Sequence, residues 1–190
     1  MRSNILSLVE DLNPFDELEA EHQLKALKWI RSGKGLFRIH KPATPDPHLV
    51  SYFVLFDPTT QTILLVAHKK AQLWLPSGGH VEPNEYPNET VKRECLEELG
   101  VTADFLFDKP IFITMTKTVG LTAGHTDVSL WYLLKGSETD TISFDQDEFF
   151  DIQWFDFDKL PFDKSDPHLE RFKNKLLLLV SELNHSHELC

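Results

Sequence analysis

The sequence predicts an α+β fold, in which a mixed β-sheet is covered by helices. Three observations predict it: strand candidates outnumber helix candidates, one helix candidate lies between strands in mid-chain, and further helical patterns lie towards both ends. The chain has 190 residues, of which 41% are hydrophobic, and this is enough for a sizeable core. We therefore expect a single domain over residues 1–190, with a helical extension and linker at 1–44, a core at 45–160 and a C-terminal helix at 161–190.

The individual elements follow from periodicity and from the residues that break it. A helix is predicted over 16–32, because apolar residues recur at helical spacing and Gly33 follows. A proline-rich linker comes next, at Pro42, Pro45 and Pro47. β-branched, aromatic and alternating residues predict strands at 49–56, 62–67, 73–75, 111–117, 126–134 and 153–155. The last helix is predicted over 167–183, with an apolar stripe made of Leu169, Phe172, Leu176, Leu179 and Leu183.

The charge balance excludes some partners. Thirty acidic residues against nineteen basic ones give a net charge of −11, which argues against a nucleic-acid partner, because such binding depends on neutralising phosphates. One segment inverts this balance, since residues 25–41 carry no acidic side chain and six basic ones: Lys25, Lys28, Arg31, Lys34, Arg38 and Lys41. Either these side chains form a solvated face, or they form a wall that attracts a polyphosphate.

Cysteine usage and hydropathy indicate the compartment. The two cysteines, Cys95 and Cys190, cannot form the disulfide framework of a small secreted protein. Residues 1–15 lack a long apolar stretch and contain Glu10 and Asp11, so they make a poor signal peptide. The longest apolar run, residues 176–180, is far shorter than the roughly 20 residues of a membrane span. We expect a cytoplasmic protein with no membrane partner.

The middle of the chain combines a glycine-rich loop with a helix. Residues 76–87 are predicted to form a loop, because adjacent glycines and several prolines disfavour regular structure. The helix is predicted to begin near Pro87, which suits a first turn, and to end at Gly100, which suits a left-handed cap. Its core face is predicted to consist of Val91, Cys95 and Leu99, widened by Leu96.

A second stripe on this helix is acidic. Glu94, Glu97 and Glu98 stand at i, i+3 and i+4, so they are neighbours on one side of the helix. Like charges at this spacing destabilise a helix by roughly 0.2–0.5 kcal/mol per pair, and a bound cation would offset this repulsion. Hard divalent ions such as Mg²⁺ prefer carboxylate and carbonyl oxygens. Arg93 lies four residues before Glu97 and can hold a carboxylate in one rotamer.

These residues form a longer pattern: Gly79, five residues, Glu85, seven residues, and then Arg93-Glu94-Cys95-Leu96-Glu97-Glu98-Leu99-Gly100-Val101. The pattern resembles the box of the Nudix hydrolase family, Gly-x5-Glu-x7-Arg-Glu-U-x-Glu-Glu-x-Gly-U, where U is bulky and apolar. Every fixed position matches, and the one soft departure is Cys95 in place of an aliphatic residue. The resemblance implies a Nudix-type α/β/α sandwich around the mixed sheet.

The resemblance also implies a reaction and a set of roles. Such enzymes hydrolyse a nucleoside diphosphate linked to another moiety X, with Mg²⁺ as cofactor and Mn²⁺ as a substitute. By analogy the metal ligands are Glu94, Glu97, Glu98 and the carbonyl oxygen of Gly79. Arg93 orients a glutamate, Glu85 stabilises the loop and the helix, and the general base is either Glu94 or Glu148.

Other polar and aromatic residues near the loop are weaker candidates. Lys70 and His80 could contact the phosphates of a substrate, and Trp74 could stack on a base. His125 and Asp127 open a predicted strand near the cleft, and we interpret them as a satisfied strand-end pair.

Several functions agree with this resemblance. The first is a pyrophosphohydrolase of nucleoside triphosphates or related small nucleotides. The alternatives are a hydrolase of a nucleotide sugar or dinucleotide, and a regulatory module that senses a nucleotide without cleaving it. The isopentenyl diphosphate isomerase branch needs further Cys and His ligands upstream, and none is identified. The expected partner is a small-molecule nucleotide, and the sequence leaves a homodimer open.

Overall fold

The computed structural model describes residues 1–40, 44–118 and 124–188, with side chains described as far as residue 182. Four helices are present: α1 (Arg2–Glu10), α2 (Glu17–Arg31), α3 (Pro87–Leu99) and α4 (Leu169–Glu188). Seven strands form one mixed sheet: β1 (His48–Asp57), β2 (Thr62–His68), β3 (Leu73–Leu75), β4 (Ser77–His80), β5 (Phe112–Lys117), β6 (Thr126–Lys135) and β7 (Phe149–Asp156). The predicted α+β class is confirmed.

The sheet is organised around β1. The main strand order is β3-β2-β1-β6-β5, while β4 also pairs with β1 and β7 also pairs with β2. β1 runs parallel to β6 and antiparallel to both β2 and β4. The first half of β1 therefore lies between β4 and β6, and this position brings three separate parts of the chain together.

Helices cover both faces of the sheet. Alternate residues of β1 join different apolar clusters: Phe53 and Leu55 belong to one, and Val54 and Phe56 to the other, as strand geometry requires. The first cluster also contains buried residues of α1, α2 and α3, including Ile5, Ile30 and Val91. The second contains the α4 residues Leu169, Phe172 and Leu176. The sheet thus lies between three helices and one, which is the α/β/α arrangement.

The element boundaries differ from prediction in three places. Within the predicted loop at 76–87, residues 77–80 form β4, because β1 offers a pairing edge that periodicity does not reveal. α1 was not predicted, although its Ile5 and Val9 are fully buried. The last strand covers 149–156 instead of 153–155. Leu183, Pro42 and Cys190 lie outside the residues whose side chains are described.

Charged groups join the helices near the two ends of the chain. Lys175 of α4 donates to Glu19 of α2 across 2.8 Å, and the two side chains are 9% and 0% exposed. The backbone N–H of Phe15 donates to the same carboxylate across 2.6 Å. Arg171 donates from Nε and Nη2 to the two carboxylate oxygens of Asp16, the N-cap of α2. α2 and α4 are therefore fastened to each other by buried polar bonds.

Hydropathy along the described helices is moderate. Within the described ranges, no helix has both the length and the apolar character needed to cross a lipid bilayer.

Candidate active site

A cavity of about 520 Å³ lies where β1, β4 and the start of β6 meet α3. Its volume is in the range of small-molecule sites, which is roughly 300–1,000 Å³. The lining draws on several segments that are distant in sequence, and it combines apolar with polar side chains. The polar side chains that line it are Arg38, Tyr52, His68, Lys70, Ser77, His80, Glu82, Glu94, Glu98, Thr116, Lys117, Thr118, His125, Asp127, Ser129, Glu148 and Asp166.

Two adjacent glycines bring β4 into close contact with its neighbours. Gly78 has φ +145°, and a Cβ atom there would lie 2.2 Å from the backbone oxygen of Ser51. A Cβ atom on Gly79 would lie 1.9 Å from Oε1 of Glu94. Only glycine fits at Gly78, where the neighbouring atoms are backbone, whereas a side chain at Gly79 would displace the Glu94 carboxylate; the backbone of Gly79 therefore lies against this carboxylate.

α3 brings two glutamates of the box into the cavity wall. Glu98 is 7% exposed and accepts hydrogen bonds from the Ser77 hydroxyl and from the backbone N–H of Gly78, the latter at 3.2 Å. Burial raises the pKa of the Glu98 carboxyl to about 8, and it also raises the pKa of Glu94. In both cases the protein withdraws a carboxylate from water, a cost that a bound cation would offset.

Arg93 donates hydrogen bonds to three glutamates, two of which belong to the acidic stripe. Its guanidinium binds Glu85 in a bidentate fork, with nitrogen–oxygen distances of 2.9 and 3.0 Å. The same group donates to Glu94 at 2.7 Å and to Glu97 at 3.2 Å. The Glu97 side chain is 60% exposed and lies at the solvent side of this group. The structure thus brings Glu85, Arg93, Glu94 and Glu97 together, while Leu96 is 60% exposed and does not widen the core face as predicted.

Glu148, a candidate for the general base, meets Lys70 across the cavity. Glu148 precedes β7, and its Oε1 lies 3.8 Å from Nζ of Lys70. Both side chains line the cavity.

Trp74 lies elsewhere, since its ring packs edge-on against Phe155 with centroids 5.2 Å apart and joins the apolar cluster on the α4 side. It is not among the cavity-lining residues.

The basic segment divides into two groups. Lys25 pairs with Glu21, and Arg31 pairs with Glu10, each at 2.6 Å on the exposed side of the helices. Arg38 instead lines the cavity, where burial lowers the pKa of its guanidinium. Among the described basic residues of segment 25–41, Arg38 is the one that lines the cavity and could contribute to the predicted polyphosphate wall. Lys41 lies outside the described residues.

Sequence reasoning missed further residues of the cavity. Asp166 is 7% exposed, and burial raises the pKa of its carboxyl to about 6. Nothing in the local sequence marks it, because it reaches the cavity from the segment that precedes α4. His48 was also missed, because it lies just before the predicted strand at 49–56; it begins β1 in the structure, and its Nε2 lies 3.0 Å from Nε2 of His80.

His125 and Asp127 do lie together, with Nε2 of His125 3.4 Å from Oδ1 of Asp127, but they are not the satisfied pair that the sequence predicts. Oδ1 of Asp127 is buried and receives no hydrogen bond from any residue in the described part of the chain. The nearest imidazole nitrogens, Nε2 of His48 and Nε2 of His125, lie 3.1 and 3.4 Å away without hydrogen-bond geometry.

The acidic stripe supplies only oxygen donors. Glu94 and Glu98 line the cavity, Glu97 lies beside them, and the Gly79 backbone touches Glu94. This donor set fits a hard divalent cation such as Mg²⁺, which takes carboxylates and carbonyls and keeps several waters.

Comparisons with known proteins agree with this geometry. The family model described as the NUDIX domain matches residues 46–176. The human protein named nucleoside diphosphate-linked moiety X motif 6 is 32% identical over 134 residues, which cover 70% of this chain and 40% of that protein. A Bacillus subtilis (strain 168) protein named as a putative 8-oxo-dGTP diphosphatase is 45% identical over 51 residues, covering 27% of this chain and 34% of that protein. The chain thus spans well under half the length of these relatives.

Solved structures share the fold. A crystal structure of a NUDIX family hydrolase from Clostridium perfringens superposes with a TM-score of 0.57 at 24% identity, covering 70% of this chain and 97% of that one. At this level of identity the superposition supports the fold alone. The family match, which covers more than half of the chain, and the complete box on α3 lead to one conclusion: the chain belongs to the NUDIX domain family.

Proposed function

We propose that this protein is a Mg²⁺-dependent hydrolase that cleaves a diphosphate linkage in a nucleoside diphosphate-X substrate, namely a nucleoside triphosphate or a related small nucleotide. The observation that carries the proposal is that one cavity contains both the buried carboxylate of Glu98 and the half-buried carboxylate of Glu94, together with the cations of Arg38 and Lys70. Carboxylates can hold a divalent cation there, and the basic side chains can bind phosphate oxygens. The names of the human and Bacillus subtilis relatives support a nucleotide substrate.

The metal ligands in this proposal are Glu94, Glu97, Glu98 and the carbonyl oxygen of Gly79. When bound, Mg²⁺ or Mn²⁺ neutralises phosphate charge and lowers the pKa of a coordinated water. Arg93 keeps Glu94 and Glu97 in place through its hydrogen bonds at 2.7 and 3.2 Å, so it acts as a positioning residue.

The remaining cavity residues bind substrate and handle the proton. Arg38 and Lys70 bind the phosphates, and His80 contributes a further polar contact beside Gly79. Two carboxylates are candidates for the general base. Glu94 is the more buried and is held by Arg93, whereas Glu148 is 39% exposed and faces Lys70 at 3.8 Å. Comparison of Glu94→Gln with Glu148→Gln identifies the base, because its loss lowers kcat more steeply than KM rises.

The test is a panel of nucleoside triphosphates, nucleotide sugars and dinucleoside polyphosphates, assayed for phosphate or pyrophosphate release with Mg²⁺ and with Mn²⁺. We expect a nucleoside triphosphate to be the best substrate and Glu98→Gln and Glu97→Gln to lower turnover by about 100-fold or more. Glu89→Gln is the matched control, because Glu89 lies on the exposed side of the same helix and pairs with Lys92.

Three results would contradict the proposal. Near-normal turnover in both box variants would remove the metal assignment. Nucleotide binding without any turnover would identify a sensing module instead. A clear preference for nucleotide sugars or dinucleotides would replace the proposed substrate class.

A further inference from the structure

A second cluster of ligating side chains lies next to the acidic stripe. It consists of His48, His80, His125 and Asp127, and we name it the histidine cluster. Each residue offers one ligand atom, and these four atoms all lie within 4.8 Å of one another. His48, His125 and Asp127 are buried, and His80 is half-buried.

Strand pairing explains why these four residues meet. The parallel register of β1 and β6 sets His48 opposite Asp127. The antiparallel register of β1 and β4 sets His80 opposite Val50, two residues along β1 from His48. His125 precedes Asp127 by two residues. Because side chains in strands alternate between faces with a period of two, all four project from the same face of the sheet.

A hydrogen bond to the backbone directs Nε2 of His48 into the cluster. Nδ1 of His48 lies 2.8 Å from the backbone oxygen of Pro45, which can only accept, so Nδ1 carries the proton. This bond orients the ring so that Nε2 of His48 lies 3.0 Å from Nε2 of His80. Backbone carbonyls commonly fix metal-binding histidines in this way.

Asp127 gives a second, independent indication. Asp127 as a whole residue is 8% exposed. Its Oδ1 receives no hydrogen bond from the described part of the chain. This oxygen lies 3.1 Å from Nε2 of His48 and 3.4 Å from Nε2 of His125. A buried carboxylate oxygen without a partner is costly, and a cation between these atoms would remove the cost.

We propose that the histidine cluster is a second metal site, separate from the acidic stripe, and that it binds one zinc ion. Three imidazoles and one carboxylate form a nitrogen-rich donor set, which favours zinc over magnesium. In a tetrahedral zinc site with the usual bond lengths, ligand atoms lie about 3.3 Å apart. Three separations in the cluster, at 3.0, 3.1 and 3.4 Å, are already close to that spacing.

This zinc site would connect β1, β4 and β6 at the cavity. His80 directly follows Gly79 in β4, so a metal bound to its imidazole holds the strand that carries the Gly79 carbonyl. With four protein ligands the site is closed, and its role is to position β4 instead of binding substrate. The inference goes beyond the proposed hydrolase function and does not depend on it.

The test measures metal directly in the full-length chain, free of any histidine tag. Protein is stripped with a chelator, incubated with equimolar Zn²⁺ and excess Mg²⁺, exchanged into metal-free buffer and analysed by mass spectrometry for metals. We expect one zinc per chain in the wild type and in Glu98→Gln. We expect at least a tenfold lower zinc content in a variant that combines His48→Gln with Asp127→Asn. His22→Gln is the matched control, since His22 is a buried histidine outside the cluster.

A second measurement covers the case in which the double variant does not fold. Co²⁺ added to stripped wild-type protein should give the intense visible absorption of a tetrahedral ion, and equimolar Zn²⁺ should abolish it. Any of three results would overturn the inference: no zinc retained by the wild type with no tetrahedral Co²⁺ spectrum, full zinc content in a folded double variant, or loss of zinc in Glu98→Gln. The last result would place the ion at the acidic stripe.

Discussion

The acidic stripe and the histidine cluster are two groups of ionisable side chains that meet at Gly79 and His80, and they are stabilised in different ways. In the acidic stripe the protein supplies partners for every carboxylate: Arg93 binds Glu94 and Glu97, while Ser77 and Gly78 bind Glu98. In the histidine cluster, Asp127 keeps an oxygen for which the described residues provide no donor. The carboxylates of the acidic stripe thus all have hydrogen-bond partners without a metal, whereas Oδ1 of Asp127 has none among the described residues.

This difference indicates how each cluster would use a cation. Carboxylates that are already held by protein donors can accept and release a hard ion at little structural cost, which suits an ion that arrives with a phosphorylated substrate. A buried carboxylate oxygen among imidazoles gains much more from a permanent ion. The comparison therefore predicts an exchangeable cation on α3 and a resident one between the strands.

The largest effect should come from a methyl group at the junction of the two clusters. Gly79→Ala places a Cβ atom 1.9 Å from Oε1 of Glu94, so the carboxylate must leave its position. We expect kcat/KM on the best substrate to fall by about 100-fold, a loss of ~2.7 kcal/mol in transition-state stabilisation. Steady-state kinetics measure this effect.

The same variant also tests whether the two clusters are separable. If they are, Gly79→Ala keeps its zinc, measured by metal analysis, while it loses activity. Activity within a few-fold of wild type would show that the Glu94 position is unimportant. Loss of both zinc and activity would break the distinction between the clusters.

A smaller effect concerns pH. Burial raises the pKa of Glu98 to about 8, above the value of 4.5 for an unperturbed glutamate, so the folded protein binds this proton more tightly than the unfolded chain does. The stabilisation is fully present below about pH 4.5 and is lost as pH rises through about 8. In chelator we expect the unfolding free energy to fall by about 2 kcal/mol more in wild type than in Glu98→Gln between these limits.

Urea denaturation of both proteins at several pH values measures this difference. Saturating Mg²⁺ should reduce it, because a cation stabilises the ionised carboxylate. Parallel pH profiles for wild type and Glu98→Gln in chelator would contradict the assignment of a proton to this group.

The smallest effect concerns substrate binding by the basic segment. Arg38→Gln removes the only cation of residues 1–40 that lines the cavity, so we expect KM for a nucleoside triphosphate to rise about tenfold, ~1.4 kcal/mol, with kcat little changed. Lys25→Gln is the matched control, because Lys25 pairs with Glu21 on an exposed helical face. Equal KM values for the two variants would show that Arg38 does not contribute to substrate binding.

The acidic stripe was predictable because its information is local. Pro87 and Gly100 bound the helix, the spacing of Val91, Cys95 and Leu99 gives its buried face, and the glutamates follow from the same periodicity. The sequence could not distinguish the depths of these glutamates. Glu98 is buried against β4, where the Ser77 hydroxyl and the Gly78 backbone N–H bind its carboxylate. The sequence predicts a loop at these residues.

The histidine cluster was not predictable, because it depends on pairing between strands that are distant in the chain. His48 and Asp127 are almost eighty residues apart, and only the parallel register of β1 and β6 makes them neighbours. The position of Asp166 depends in the same way on a contact between distant segments, the bridge between Ser165 and Trp74 of β3. Periodicity identifies which residues form strands, but it carries no information about which strands pair.

The bond between Glu19 and Lys175 limits how far the chain can be shortened. The family match begins at residue 46 and ends at 176, so a fragment cut to those limits retains the lysine and discards the carboxylate. Such a fragment would lose both oxygen partners of the Lys175 ammonium, and it would also lose α1 and α2, whose Ile5 and Ile30 are buried in the first apolar cluster, so that face of the sheet would be exposed to water. The smallest unit that folds well therefore extends beyond the family boundaries and includes the second helix.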